Sequence, residues 1–168
     1  MNALTLEFYS ARPRRAAALA VAIGLAALAI ALASQYWGGL QPCVLCIYQR
    51  YAYAVAIALG LVALVLPERL VRCGLLLVAL TFLGGAAIAG YHIGVEQGWW
   101  QGTTACSGPE LGSSASPEDL VREMLETPIV RCDEVSWSLF GISMAGYNFL
   151  ASLVFAAATL TVVRKSAR

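Results

Sequence analysis

Charge is what this sequence has least of. Only 12% of its 168 residues are charged, against about 25% in a typical soluble domain. So little charge, with a net of +1, excludes a disordered chain and a basic nucleic-acid binder; no nucleic acid is expected as a partner. Five cysteines in 168 residues are too few for a cysteine-dense secreted miniprotein. The sequence has no internal repeat, no nucleotide-binding or metalloprotease motif and no Cys-Cys-Gly motif. What it has instead is apolar bulk. At 60% hydrophobic residues it exceeds the roughly 45–50% that a soluble globule carries, and the class this implies is a membrane protein.

A bilayer core about 30 Å thick needs roughly 20 mostly apolar residues in a helix. Four stretches qualify, at about 16–33, 47–66, 73–93 and 139–163. The first has no charge, the second carries Arg50 near its start, and the fourth holds Asn148. The expectation is an all-α membrane protein, a single four-transmembrane-helix bundle with outer loops at about 34–46 and 94–138.

Charge sets its orientation. Eight of the eleven basic residues fall on one side, among them Arg14, Arg15, Arg69, Arg72, Arg164 and Lys165. The 94–138 stretch holds eight acids against Arg122 and Arg131, a net of −6. The positive-inside rule then puts both termini and the 67–72 turn in the cytoplasm. Tyr36, Trp37, Tyr91, Trp99, Trp100 and Trp137 gather toward the opposite face, as an interfacial belt would. A cleavable signal peptide is the rival reading of the N-terminus, but an apolar run of 18 residues is longer than the usual core of about 7–15.

The long outer loop is more than a spacer, since structureless loops beyond about 15 residues are usually functional or disordered. Residues 102–116 read as mobile from their Gly, Ser, Thr and Pro content. Ser116-Pro117-Glu118-Asp119 then supplies an N-cap, a proline at the first helical position and acids in the first turn. A short amphipathic helix is expected to follow, ending before Pro128, lying either on the membrane surface or against the outer ends of the spans.

Topology sorts the cysteines. Cys73 sits at the cytoplasmic mouth of the third span, where a small apolar filler is the simple reading. Cys43, Cys46, Cys106 and Cys132 face outward, toward a compartment that in bacteria is oxidising. Cys43 and Cys46 form a C-x-x-C at a helix start marked by Pro42, where unpaired N–H groups favour thiolate. Cys46 and Arg50 are four apart and share a helix face. An arginine in a span costs about 2.5–3.5 kcal/mol at the bilayer centre and less near the surface. It either snorkels to the headgroups or stabilises a Cys46 thiolate and an electron-rich ligand beside it. Cys106 and Cys132 are open to two readings, a structural staple or one half of a thiol relay. A four-cysteine zinc site is the weakest, because such sites usually bring two closely spaced pairs.

The run Gln41-Pro42-Cys43-Val44-Leu45-Cys46-Ile47-Tyr48-Gln49-Arg50 resembles the signature of the disulfide bond formation protein B (DsbB) family. Residues 132–144, entering the last span, are similar to the corresponding family stretch, and the order of spans and cysteine pairs agrees over nearly the whole chain. In the vitamin K epoxide reductase family, which shares the chemistry, the C-x-x-C follows the loop cysteines, the reverse of the order here.

The resemblance implies an enzyme of the bacterial inner membrane that oxidises a periplasmic dithiol carrier and reduces a quinone, ubiquinone or menaquinone, with no metal. It implies that Cys106–Cys132 is the disulfide attacked by a thioredoxin-fold partner of the DsbA type. Cys132 then attacks Cys43, and Cys46 is freed as the thiolate that donates to the quinone beside Arg50. His92 matches a family histidine near the quinone site, its simpler reading being an interfacial polar residue. Glu96 is placed to pair with His92 or Arg50. The competing expectation is a tetraspanin-like scaffold with a stapled outer loop.

Overall fold

A computed structural model describes residues 13–106 and 130–166. The chain forms four long helices, α1 (Pro13–Tyr36), α2 (Val44–Val65), α3 (Glu68–Glu96) and α4 (Met144–Lys165). Each is long and apolar enough to cross a membrane, so the protein is a four-helix membrane bundle. α3 lies at the centre, packed against both α2 and α4, while α1 packs mainly on α2. The expected amphipathic helix after Ser116 lies outside the described residues.

The helix ends follow local sequence. α2 starts at Cys43, whose Sγ accepts from the Cys46 N–H at 3.4 Å. It ends at Leu66 and Pro67, and Pro67 leads directly into α3. α3 stops at a glycine signal: Gly98 has φ +67°, its N–H reaches the Val95 carbonyl, and the Trp99 N–H reaches Gly94. Those two bonds make a Schellman motif and satisfy carbonyls that the helix end leaves open.

Helix α4 begins at Met144, later than the expected position near 139. The intervening residues form a hairpin instead, Ser138–Leu139 (β1) antiparallel to Ile142–Ser143 (β2). Phe140 and Gly141, both at positive φ, turn it, which a helix could not accommodate. Ser143 then caps α4, its Oγ accepting from the Gly146 N–H at 3.1 Å.

Association within a bilayer rests on close packing, since lipid is as apolar as a helix face. Small residues let the helices approach: a Cβ added at Gly60 would stand 2.7 Å from Val21, and one at Gly74 would stand 2.8 Å from Ala63. Tyr53, Val78, Phe82 and Ala156 form the middle of the core. Leu25, Ile30, Leu61, Leu80 and Val154 point outward, where hydrocarbon rather than water suits them.

At one end of the bundle, Arg14 donates to the Leu66 carbonyl (3.0 Å) and Arg72 to the Ser166 carbonyl (2.8 Å). These bonds join the start of α1 to the end of α2, and the start of α3 to the end of α4. Cys73 is near this end and exposed, so it fills no core. The start of α2, the end of α3 and the start of α4 meet at the other end, which carries the remaining cysteines.

Candidate redox site

Four thiols converge there. Cys43, Cys106 and Cys132 are buried in one cluster with Leu45 and Val95, and Cys46 packs against it. They arrive by three routes. Cys43 is the N-cap of α2 and Cys46 lies in its first turn, which sets their sulfurs 3.3 Å apart. Cys106 is returned toward α3 by the chain that leaves it: Trp100 stacks on Tyr91 with ring centroids 5.9 Å apart and donates from Nε1 to the Tyr91 carbonyl at 3.0 Å. The Tyr91 hydroxyl donates to the Gln101 carbonyl, also at 3.0 Å, and a single 3₁₀ turn, Thr104–Cys106, ends the segment. The expected mobile stretch therefore begins with an ordered turn; the remainder of it lies outside the described residues. Cys132, fully buried, comes from the far end of the loop and contacts both Cys106 and Cys43.

The electrostatics distinguish the sulfurs. The Cys46 thiol, bonded to Cys43 Sγ, pulls the Cys43 pKa down to about 4, with help from His92 and the Cys46 backbone N–H and against burial. Burial is the main cause that pushes Cys132 up, and its bond to Cys106 adds to this. Charge in the reduced cluster therefore settles at the C-x-x-C, and the loop sulfur beside it stays protonated.

His92, from the last turns of α3, is buried with Nε2 3.6 Å from Cys43 Sγ. Its Nε2 is also 3.9 Å from Glu96 Oε1. The Ser143 hydroxyl donates to Glu96 Oε2. Of its two expected partners Glu96 thus meets His92, and it ties α3 to the cap of α4. Arg50 turns toward α1, donating to the Gln35 side chain and, at 3.1 Å, to the Ala31 carbonyl. No hydrogen bond joins Arg50 to Cys46 among the described residues. Its cation sits instead at the carbonyl-rich C-terminal end of α1, where a positive charge is favoured.

The Cys43, Cys46 and His92 donor atoms all lie within 4.8 Å of one another, a separation one soft cation would tolerate. One set of site residues escaped the sequence reading. Gln49, Asn148, Tyr53 and Ser152 form a hydrogen-bonded column behind His92. The available signal was the presence of two amides within apolar spans, where polar side chains are rare and turn inward.

A membrane bundle that gathers four thiols at one end is a thiol-exchange architecture, and the comparisons specify which. Residues 13–162 match the family described as Disulfide bond formation protein DsbB. The Disulfide bond formation protein B of a Polaromonas species is 30% identical over 97% of this chain and 98% of its own. That of Xylella fastidiosa (strain Temecula1) is 32% identical over 100% of this chain and 96% of its own. An uncharacterized protein of Rickettsia prowazekii is 30% identical over 79% of this chain and 77% of its own. No solved structure matches. The chain belongs to the DsbB family of disulfide bond formation proteins.

Proposed function

We propose that this protein is a protein-dithiol:quinone oxidoreductase of the bacterial inner membrane, oxidising a DsbA-type thioredoxin-fold carrier at the expense of a membrane quinone. The observation that carries the reading is the position of Cys132, in contact with Cys106 on one side and Cys43 on the other. A permanent staple needs only the first contact; a relay needs both.

The exchange runs in balanced steps. A carrier thiolate attacks Cys106 of the Cys106–Cys132 disulfide, forming a mixed disulfide and releasing Cys132. Cys132 attacks Cys43 of the Cys43–Cys46 disulfide and releases Cys46 as thiolate. The carrier's second thiol resolves the mixed disulfide at Cys106, which leaves as a thiol, and the carrier departs oxidised. Cys46 and Cys106 hold the two electrons until both disulfides are restored. A bound quinone supplies a two-electron, two-proton sink, so the sum is dithiol plus quinone to disulfide plus quinol. The lowered pKa of Cys43 stabilises the fully reduced C-x-x-C and so favours passage of electrons from the loop pair into it.

The residues fit such an acceptor. Cys46 is half-buried at the start of α2, and Arg50 shares its helix face with a guanidinium anchored to α1 by Ala31 and Gln35. Arg50 supplies positive charge at the membrane rim, and His92 an N–H to the Cys43 sulfur. Glu96 acts through His92. The basic end of the bundle supports a cytoplasmic location for the termini and an oxidising compartment for the thiols.

The test supplies the purified protein with a reduced thioredoxin-fold carrier and a soluble quinone. Quinol should form in step with carrier disulfide, and Cys46→Ser should abolish turnover. Quinone left untouched while all four clustered cysteines stay locked in disulfides would make the protein a scaffold instead.

A further inference from the structure

The column behind His92 has a direction, and one atom sets it. Gln49 Nε2 is 3.3 Å from the Leu45 carbonyl, which can only accept. The side-chain atom facing Leu45 is therefore the amide nitrogen, and Gln49 Oε1 faces the other way, accepting from Asn148 Nδ2. Asn148 Oδ1 in turn accepts from the Tyr53 hydroxyl at 2.6 Å and the Ser152 hydroxyl at 3.4 Å. Gln49 is buried and spends its second N–H on His92 Nδ1 at 3.0 Å. Reversing the Gln49 amide would set its oxygen against the Leu45 carbonyl with no proton between them, whichever way Asn148 faces.

The consequence falls on the ring. A donor facing Nδ1 requires a lone pair there, so the proton of neutral His92 is on Nε2. A second proton on Nδ1 would point at the Gln49 N–H. We propose that Gln49, locked by Leu45 and Asn148, is a positioning residue that holds His92 as the neutral Nε2–H tautomer, with that N–H aimed at Cys43 Sγ. This deepens the thiol-oxidase reading of the same site. The groups facing His92 are Cys43 from the start of α2 with Cys46 behind it, Glu96 from its own helix, and the Cys132 backbone from the loop. On the α4 side it meets the Gln49–Asn148 column, which carries no charge. Both acceptors nearest Nε2, the Cys43 sulfur at 3.6 Å and the Glu96 carboxylate at 3.9 Å, suit an N–H there. The column is a lock and not a proton wire, because neutral amides do not pass protons along as hydroxyls and imidazoles do.

His92 is the chain's single histidine, so nitrogen NMR of ¹⁵N-histidine-labelled full-length protein, reduced and held in lipid, reports on it alone. The wild-type spectrum should show one pyrrole-type nitrogen, Nε2, and one pyridine-type nitrogen, Nδ1, across the range of about pH 5–8 in which histidine ordinarily titrates. Gln49→Glu turns the facing donor into an acceptor and should convert the ring to imidazolium at neutral pH. Gln49→Met removes the lock and should restore an ordinary titration within that range. A wild-type imidazolium at neutral pH, or a proton on Nδ1, overturns the proposal. So does a Gln49→Met spectrum identical to wild type. If a variant fails to fold, the wild-type spectrum still decides the tautomer. The readout needs no quinone turnover, so failure here and failure of the oxidase reading are separate results.

Discussion

Cys43 is the residue on which the site's acid–base behaviour turns. Its pKa falls from an ordinary 9.0 to about 4 when the Cys46 thiol bonds to it. A group whose pKa is lowered in the folded state stabilises that state fully above its unfolded pKa, and loses the effect as pH falls through the folded value. The dithiol form should therefore be stabilised fully above about pH 9, progressively less toward pH 4, and not at all below it. Stabilising the dithiol makes the pair a stronger oxidant. Between pH 4 and 9 its reduction should take up one proton per two electrons rather than two, readable as the slope of potential against pH. A two-proton slope through neutrality would contradict the assignment of charge to Cys43.

Arg50 is the other informative residue. Its bonds to Ala31 and Gln35 account for its place in the span without any ligand, so its chemical role has to be measured. Arg50→Met should raise the apparent KM for quinone while leaving carrier oxidation by the Cys106–Cys132 pair intact in single turnover. An unchanged quinone KM would reduce Arg50 to a clamp between α1 and α2.

At the scale of elements, the ends of α3 and α4 do more for the site than their lengths. Ser143 caps α4 through Gly146 and holds Glu96 through its hydroxyl proton. Ser143→Ala removes both bonds. Loss of an N-cap costs about 0.5–2 kcal/mol, so the unfolding free energy in detergent should fall by an amount in that range, and Glu96→Gln should add less on the alanine background than on wild type. Additive losses would show that the two bonds are independent.

The turn after α3 is as tightly specified. Trp100 lies over Gly94, where an added Cβ would collide with its ring. Gly94→Ala must therefore displace Trp100, release the segment that carries Cys106, and slow exchange with the carrier, while quinone oxidation of the reduced Cys43–Cys46 pair persists. Carrier oxidation at the wild-type rate would mean that the ring does not position Cys106.

At the scale of the whole molecule, the bundle has two chemically different ends. Arg14 and Arg72 tie helix termini together at one end, and four thiols meet at the other. On the orientation proposed from basic charge, a single cysteine introduced at exposed Trp37 should react in intact cells with a membrane-impermeant maleimide added outside. A reporter fused after Arg168 should stay in the cytoplasm. A reversed result would overturn the orientation without touching the fold.

The four spans and the separation of Cys73 from the other thiols were legible in the sequence. Hydropathy is a local property, and a bilayer imposes one length on every helix that crosses it. The start of α4 was less legible, because Phe140 and Gly141 form a turn inside an apolar run that hydropathy counts as span. Partnerships were not legible at all. Glu96 had two candidates and took His92, Arg50 had two readings, snorkelling or stabilising Cys46, and turned to α1, and Gln49 and Asn148 gave no sign that they would meet across 99 positions. Sequence alone determined which segments enter the membrane and which residue types carry thiol chemistry, since both depend on neighbours along the chain. Only the tertiary structure decided which sulfur lies beside which and which way each buried amide faces. Those depend on helix packing, where one rotation exchanges every partner at once.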